Sequence, residues 1–295
     1  MLTRLGVLGW PVAHSRSPAM HNAALADLGL TGWRYQLLPV PPERFAETVH
    51  ALRGAGFRGA NVTIPHKEAA LALATEATER ARAIGAANTL SFSGDGVIHA
   101  DNTDAPGLIA ALPAAPEPGS RALVLGAGGS ARAVAWALRE AGCDVLVWNR
   151  SAERAEQLAV DLGVHAVRRA EPADLLVNCT SVGLSDPSST FKHLPLRVED
   201  MDTYATVADL VYRAAGTELL TTAAREGCAV VDGLEILVRQ GALSLEAWTG
   251  RVAPIEAMRA AAVRSTPDLQ FEHLRPPSPQ ASGLTGDGGG ARTQA

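Results

Sequence analysis

Lys67 and Asp104 are the two residues of this 295-residue chain best suited to moving a proton. Lys67 closes the segment Gly59-Ala60-Asn61-Val62-Thr63-Ile64-Pro65-His66-Lys67, where strand alternation puts Asn61 and Thr63 on one face and Val62 and Ile64 on the other. The lysine falls in the first turn of the helix that follows Pro65. A helix dipole disfavours a cation there, so a compensating reason is expected. Asp104 is an obvious partner: it ends Asp101-Asn102-Thr103-Asp104, just after a segment that carries Asn88-Thr89. Taken singly, Lys67 reads as a solvated charge and Asp104 as an N-cap before Ala105-Pro106. Taken together they form an ammonium and carboxylate that can stabilise a developing oxygen anion and exchange a proton with it. Asp104 would favour the charged ammonium and burial would favour the neutral amine, and the sequence leaves that balance open.

Two further segments bear chemistry. His14-Ser15-Arg16-Ser17-Pro18 carries hydroxyls two residues apart between a strand and a helix, an arrangement suited to a carboxylate at a helix N-terminus. Ser17 alone reads as the N-cap of that helix. The second is Gly126-Ala127-Gly128-Gly129-Ser130-Ala131-Arg132, a glycine-rich turn between an apolar strand and a helix. Gly126, Gly128 and Ala131 fit G-x-G-x-x-A: a tight turn, a close backbone approach to a pyrophosphate, and a small residue for helix packing. The next strand ends in Asn149, Arg150 and Ser151, with Arg154 one helical turn on. An acidic residue there would bind a ribose 2′-OH, whereas a guanidinium fork pairs with a phosphate. The expected cofactor is therefore NADP.

These segments need a scaffold, and the hydrophobic pattern supplies one. Strands are expected at Leu5–Trp10, Trp33–Val40 and Gly59–Ile64, alternating with helices at Pro18–Leu28, Pro42–Arg53 and from Lys67 toward Ala74. That is a βαβ series, hence largely parallel. A helix over Thr78–Ile84 leads to a hairpin, Asn88–Phe92 and Val97–Ala100, and a short helix follows Asp104. The stretch Pro113–Gly119 marks a boundary. Beyond it, strands at Ala122–Leu125, Asp144–Trp148, Leu175–Asn178, Thr206–Asp209 and Ala229–Asp232 describe a nucleotide fold. Helices at Leu234–Gln240, Leu243–Trp248 and Ile255–Arg264 are placed to return to the first half.

The fold class is thus α/β with two domains: a mixed or parallel α/β substrate domain and a Rossmann-type NADP-binding domain. The boundaries read as 1–104, completed by helices at about 239–264, then 105–238, with a polar, glycine-rich tail over 266–295 expected to be disordered. Composition fits, with 47% hydrophobic and 19% charged residues. A net charge of −5 argues against a general nucleic-acid binder. Cys143, Cys179 and Cys228 show no metal-ligand spacing and read as buried thiols, so no metal is expected. The N-terminus reads directly into a strand without signal-peptide features, and no apolar run is long enough for a bilayer. The expected setting is cytoplasmic, as a monomer or homodimer, with a small-molecule substrate and no nucleic-acid or membrane partner.

The order of these segments resembles the shikimate dehydrogenase family over nearly the whole chain to about Arg264. The resemblance rests on Ser15-Arg16-Ser17-Pro18, Asn61 through Lys67, Gly85-Ala86-Ala87-Asn88-Thr89, Asn102-Thr103-Asp104, Gly126 through Gly129, Asn149-Arg150, Asn178 through Gly183, Asp209-Leu210-Val211-Tyr212, and Asp232-Gly233-Leu234-Glu235 through Gln240. It implies reduction of 3-dehydroshikimate to shikimate with NADPH in aromatic amino-acid biosynthesis. It also implies that Ser15 and Ser17 hold the substrate carboxylate, and that Thr63, Lys67, Asn88, Asp104, Tyr212 and Gln240 surround the ring, with Lys67 and Asp104 catalytic. For the cofactor it implies Gly126, Ala127, Gly128, Gly129 and Ser130 at the pyrophosphate, and Asn149, Arg150, Ser151 and Arg154 at the adenosine phosphate. Leu210 and Gly233 would lie by the nicotinamide, and Glu79 matches another cofactor position. The chain departs from the family pattern at Arg213-Ala214, Ile236 and Leu245, positions that bear on loop stiffness and packing. Two rival readings are an NAD-using quinate/shikimate dehydrogenase and a dinucleotide-binding protein without catalysis.

Overall fold

The structure is a computed structural model describing residues 2–94, 96–186, 188–213 and 216–264. The tail expected over 266–295 lies outside the described residues. The first half lays down β1 (Thr3–Gly9), α1 (Ser17–Asp27), β2 (Trp33–Pro39), α2 (Phe45–Gly54), β3 (Phe57–Val62), α3 (Lys67–Leu73), β4 (Glu76–Ala77), α4 (Glu79–Ile84), β5 (Thr89–Phe92) and β6 (Ile98–Asp101). Its sheet order is β2-β1-β3-β5-β6-β4. Strands β1, β2 and β3 are parallel, but β3/β5 and β5/β6 are antiparallel, so the sheet is mixed. The change of direction has a functional result. It brings the end of β3, which leads to Lys67, beside the start of β5, which follows Asn88.

After α5 (Asp104–Ala111) come β7 (Arg121–Leu125), α6 (Gly129–Glu140), β8 (Asp144–Trp148), α7 (Ala152–Leu162), β9 (His165–Ala166), β10 (Ala173–Asn178), α8 (Thr190–His193), β11 (Tyr204–Asp209), α9 (Glu218–Arg225) and β12 (Ala229–Asp232). Their order is β12-β11-β10-β7-β8-β9, all parallel. The order reverses between β7 and β10, and in such sheets ligands bind beyond the strand C-termini at that crevice. The hydrophobic pattern predicts five strands in this half and there are six, the extra one being the two-residue edge strand β9.

The chain then returns through α10 (Gly233–Thr249) and α11 (Ile255–Arg264). Where the sequence predicts two helices, Leu234–Gln240 and Leu243–Trp248, one continuous helix stands. Gly241 at the expected break costs about 1 kcal/mol of helix propensity. It allows close packing, because a Cβ there would lie 2.3 Å from Met20 Cε of α1 and displace the end of that side chain. Val238, Ala242, Leu245 and Trp248 of α10 bury themselves with Leu5, Val7, Met20 and Tyr35 of the first half. The Trp248 indole N–H donates to the Leu90 carbonyl at 3.0 Å. A separate core under β7, β8 and β10 gathers Val124, Val147, Val177, Leu138 and Leu158.

One capping expectation is corrected. Ser17 is the first residue of α1, with Arg16 at the N-cap position and no side-chain cap. Pro18 then holds the second helical position, and the Ser17 hydroxyl is left for other partners.

Candidate active site

A cavity of about 210 Å³ lies between the two sheets. Its walls come from the loop after β1, the end of β3 with α3, the loops following β10 and β11, and α10. Of the residues expected around a substrate, Ser15, Ser17, Thr63, Lys67, Asn88, Asp104, Tyr212 and Gln240 all line it. Ser130, Leu210 and Gly233 of the expected cofactor set line it too.

Lys67 opens α3, and its ammonium donates to Asp104 Oδ2 at 2.5 Å and to Ser130 Oγ at 2.8 Å. The side chains of the pair are only 11% and 14% exposed. Asp104 answers the dipole cost at the helix start, and Ser130 ties the same nitrogen to the glycine-rich turn of the other sheet. Asp104 is itself fixed twice. Its backbone N–H donates to Asn102 Oδ1 at 3.1 Å, and its Oδ1 accepts from Asn88 Nδ2 at 2.8 Å.

Asn88 is the hub of a buried polar network. Its amide nitrogen also donates to Gln240 Oε1 at 3.0 Å, while its Oδ1 accepts from the Thr103 backbone at 2.7 Å and from the Thr103 hydroxyl at 3.1 Å. Beneath it, Asn61 donates to Ser244 Oγ at 2.9 Å and accepts from the Tyr35 hydroxyl at 2.8 Å. Ser244 Oγ also stands 2.9 Å from Thr89 Oγ1 and 3.1 Å from Thr103 Oγ1. A buried network with its members satisfied holds its side chains in one arrangement, and here it orients the amides of Asn88 and Gln240. Sequence reasoning missed Ser244 and Tyr35. The available signal was the Gln240/Ser244 pair, two polar residues four apart on one helix face.

At the other end of the cavity, Ser15 Oγ accepts from the Ser17 backbone N–H at 3.3 Å, and the Tyr212 hydroxyl accepts from the Arg16 N–H at 3.5 Å. Burial raises the Tyr212 phenol above its ordinary value and lowers the His14 imidazole, so both are neutral near neutral pH. His14, Thr180 and Ser181 line the cavity as well; they lie in segments the sequence pointed to, but it assigned none of them a role.

The loops carrying Thr180 and Tyr212 are pinned from below. Asp209, buried at the end of β11, accepts from Asn178 Nδ2 at 2.9 Å, the Val211 N–H at 3.0 Å and Thr217 Oγ1 at 2.8 Å. Burial pushes its carboxyl up to about 6 despite these donors. Asn178 Oδ1 in turn accepts from Thr180 N at 3.0 Å and Thr180 Oγ1 at 2.8 Å.

The glycine-rich turn has the form an anion requires. Gly126 takes φ +117°, a left-handed conformation that a side chain would strain, and its N–H donates to the Trp148 carbonyl at 2.7 Å. Gly128 is the N-cap of α6, and a Cβ there would meet nothing within 4 Å. The first turn of α6 holds no acidic residue. Open space at a helix N-terminus free of carboxylates fits a pyrophosphate. Gly129 serves a different end: a Cβ on it would lie 2.6 Å from Lys67 Cβ, so only glycine lets α6 come this close to α3.

At the end of β8, Asn149 Nδ2 donates to the Ser151 carbonyl at 2.9 Å, and the Ser151 hydroxyl is taken by Glu153 at 2.8 Å. Arg150 and Arg154 are exposed and make no ion pair among the described residues, whereas Arg132, Arg139 and Arg168 of the same half all pair with carboxylates. Two unspent guanidiniums at this strand end fit a 2′-phosphate. Glu79 sits exposed in the first turn of α4 and is not among the residues lining the cavity. No cluster of three His, Cys, Asp or Glu among the described residues is placed to hold a metal. No helix among them is long and apolar enough to cross a membrane.

Comparison with known proteins gives a consistent result along the chain. Residues 7–90 match the family model for a shikimate dehydrogenase substrate binding domain, 116–182 that for shikimate / quinate 5-dehydrogenase, and 233–263 that for a shikimate 5′-dehydrogenase C-terminal domain. A shikimate dehydrogenase (NADP(+)) of Thermus thermophilus is 47% identical over 267 residues, covering 90% of this chain and 99% of that protein. Its counterpart in Paracoccus denitrificans is 46% identical over 262 residues, covering 83% and 90%. The crystal structure of a shikimate 5-dehydrogenase from Thermus thermophilus in complex with NADP(H) and shikimate superposes with a TM-score of 0.80 at 45% identity, covering 89% of this chain and 99% of that one.

Proposed function

The chain belongs to the shikimate dehydrogenase family, and from that premise we propose that it catalyses the reversible NADPH-dependent reduction of 3-dehydroshikimate to shikimate, a step of aromatic amino-acid biosynthesis. The observation that carries this reading is Lys67 Nζ, held between Asp104 of one half and Ser130 of the other, at the edge of a cavity rimmed by hydroxyls and amides.

The division of labour largely follows the two sheets: residues 1–104 with 239–264 hold the substrate, joined by Tyr212 from the second half, and the rest of 105–238 holds the dinucleotide. Ser15, Ser17 and Tyr212 take the carboxylate. Thr63, Asn88 and Gln240 meet the ring hydroxyls, with Asn88 and Gln240 held in one orientation by Thr103 and Ser244. NADPH, when bound, supplies the hydride for the ketone carbon. Gly126, Ala127, Gly128, Gly129 and Ser130 are the residues that would hold its pyrophosphate, Asn149, Arg150, Ser151 and Arg154 its adenosine phosphate, and Leu210 and Gly233 its nicotinamide end.

As negative charge builds on the carbonyl oxygen, the Lys67 ammonium stabilises it and delivers a proton; in the oxidative direction the neutral amine takes that proton back. Asp104 keeps the ammonium oriented. The three cysteines are free, as suits a reducing cytoplasm, which we take to be the setting.

The test is oxidation of shikimate and of quinate by the purified protein, with NADP and with NAD. Shikimate with NADP should be preferred, and Arg150→Ala should lower kcat/KM for NADP by about 10–100-fold while leaving NAD unaffected, since a charge-assisted hydrogen bond contributes about 1.5–3 kcal/mol. Equal use of NAD would overturn the phosphate clamp. Binding of shikimate with no reduction of either dinucleotide would overturn the catalytic reading.

A further inference from the structure

Arg16 stands between Ser15 and Ser17, yet its side chain turns inward and the residue is only 7% exposed. Its Nη1 donates to the Ala262 carbonyl at 3.1 Å, in the last turn of α11. Its guanidinium carbon lies 5.6 Å from the centroid of the Tyr212 ring, a distance at which a cation is drawn to an aromatic face. Its backbone N–H reaches the Tyr212 hydroxyl. One residue thus joins the serine loop of the first half, the loop after β11, and the last helix.

The charge itself is unbalanced. A buried guanidinium is ordinarily paired with a carboxylate. Among the described residues Arg16 has no such partner, only a helix C-terminus, whose partial charge is about half a unit, and a ring face. A net positive potential therefore remains beside the two hydroxyls. Serine hydroxyls and a phenol give hydrogen bonds to an anion but no charge, and they serve a neutral polar group almost as well. The N-terminus of α1 adds a partial positive charge of about half a unit at this point, and the Arg16 guanidinium adds a whole one.

We propose that Arg16 determines specificity at this end of the cavity: its buried charge selects a substrate that bears a carboxylate, and its stack on Tyr212 positions the phenol beside Ser15. Arg16 acts through the field and through Tyr212, so it is a positioning residue. The proposal rests on the shikimate reading given above.

The experiment compares shikimate with its neutral methyl ester as substrates for wild type, Arg16→Met and Arg16→Lys, with NADP saturating. In Arg16→Met, kcat/KM for shikimate should fall about tenfold or more, chiefly through KM. The value for the methyl ester should fall less than threefold, and the KM for NADP should not move. Arg16→Lys, which keeps the charge but not the planar fork, should restore the preference for the acid to within about threefold of wild type. An equal fall for acid and ester, or a rise in the NADP KM in step with that for shikimate, would show a merely structural role and overturn the proposal, as would an unchanged preference. If Arg16→Met does not fold, Arg16→Gln, which keeps a donor toward Ala262 while losing the charge, gives the same comparison. Failure of wild type to oxidise either compound would overturn the shikimate reading instead, a result distinct from any produced by the variants.

Discussion

Replacing Lys67 by methionine keeps the aliphatic stem that packs against Gly129 and deletes only the ammonium. Two losses follow. General acid–base catalysis by a positioned side chain contributes about 10²–10⁴, or about 3–5 kcal/mol of barrier. The variant also strands Asp104, only 14% exposed, with Asn88 as its remaining side-chain donor. Breaking a fully buried pair costs about 3–5 kcal/mol; the residual exposure here brings the expectation down to about 2–3 kcal/mol of stability. The stranded carboxylate also faces the place where the substrate oxygen turns anionic, so Lys67→Met should lie near the bottom of the activity range, about 10⁴ below wild type. Asp104→Asn alone, which leaves Lys67 on Ser130, should cost about 10–100-fold. The double variant removes the stranded charge and should recover to about 10³ below wild type, with its thermal midpoint restored toward wild type. Independent sites would instead multiply to about 10⁵–10⁶, so the cycle should show a coupling of two or more decades, about 3 kcal/mol. The assay is the absorbance of the reduced nicotinamide under saturating substrates, with unfolding followed in parallel. Turnover of Lys67→Met within tenfold of wild type, or a double variant equal to the product of the singles, would refute the role given to this pair.

Asp209 gives a pH prediction. Its carboxyl is raised from 3.8 to about 6 in the folded protein, so its contribution to stability is greatest below the unfolded value and is lost as pH rises through about 6. Between about pH 5 and about pH 8 the urea-unfolding free energy of wild type should fall relative to Asp209→Asn by about 1.4 kcal/mol, and a gap independent of pH would sink the argument. Gly129→Ala would set a Cβ 2.6 Å from Lys67 Cβ and 3.2 Å from Lys67 Cδ, so kcat should drop about tenfold or more while the Kd for NADP, measured by titration calorimetry, rises less. An unaltered kcat would mean that the two halves do not need this approach.

Local pattern and nonlocal packing divide what could be read from the chain. Strands β7, β8 and β12 fall within a residue of their expected places because short apolar runs bounded by turn residues leave few alternatives. Lys67 and Asp104 were legible as a pair because a cation at a helix start asks for compensation. Ser130 as a third partner was not, since nothing in the local pattern says that α6 will meet α3. The break expected between Gln240 and Leu243 is absent because helix propensity is a local argument, and the packing of α10 against Met20 is a tertiary one. Tyr35 and Asn61 are of the same kind: each looks like ordinary strand polarity until α10 brings Ser244 over them. Arg16 was given no role of its own from the sequence, and its inward turn depends on Ala262, 246 positions away.

These nonlocal contacts also bear on how the site is assembled. The lysine that gives the proton sits on the first half, but its second partner is on the turn that the second half offers to a pyrophosphate, and the glycine beside that partner sets how near the two come. The amide that orients Asn88 comes from Gln240, on a helix that starts directly after the last strand of the second sheet and ends packed in the first. Neither half therefore holds a complete set of groups. A chain that merely joined a nucleotide fold to a substrate fold could leave the two sites loosely arranged. Here the return of α10 and the Gly129 contact make the position of Lys67 depend on both, so that occupancy of the glycine turn and the placement of the proton donor share the same few atoms. That dependence gives the lysine at this helix start its compensation for the dipole: the hydroxyl of the glycine turn meets the ammonium from one side while Asp104 holds the charge from the other.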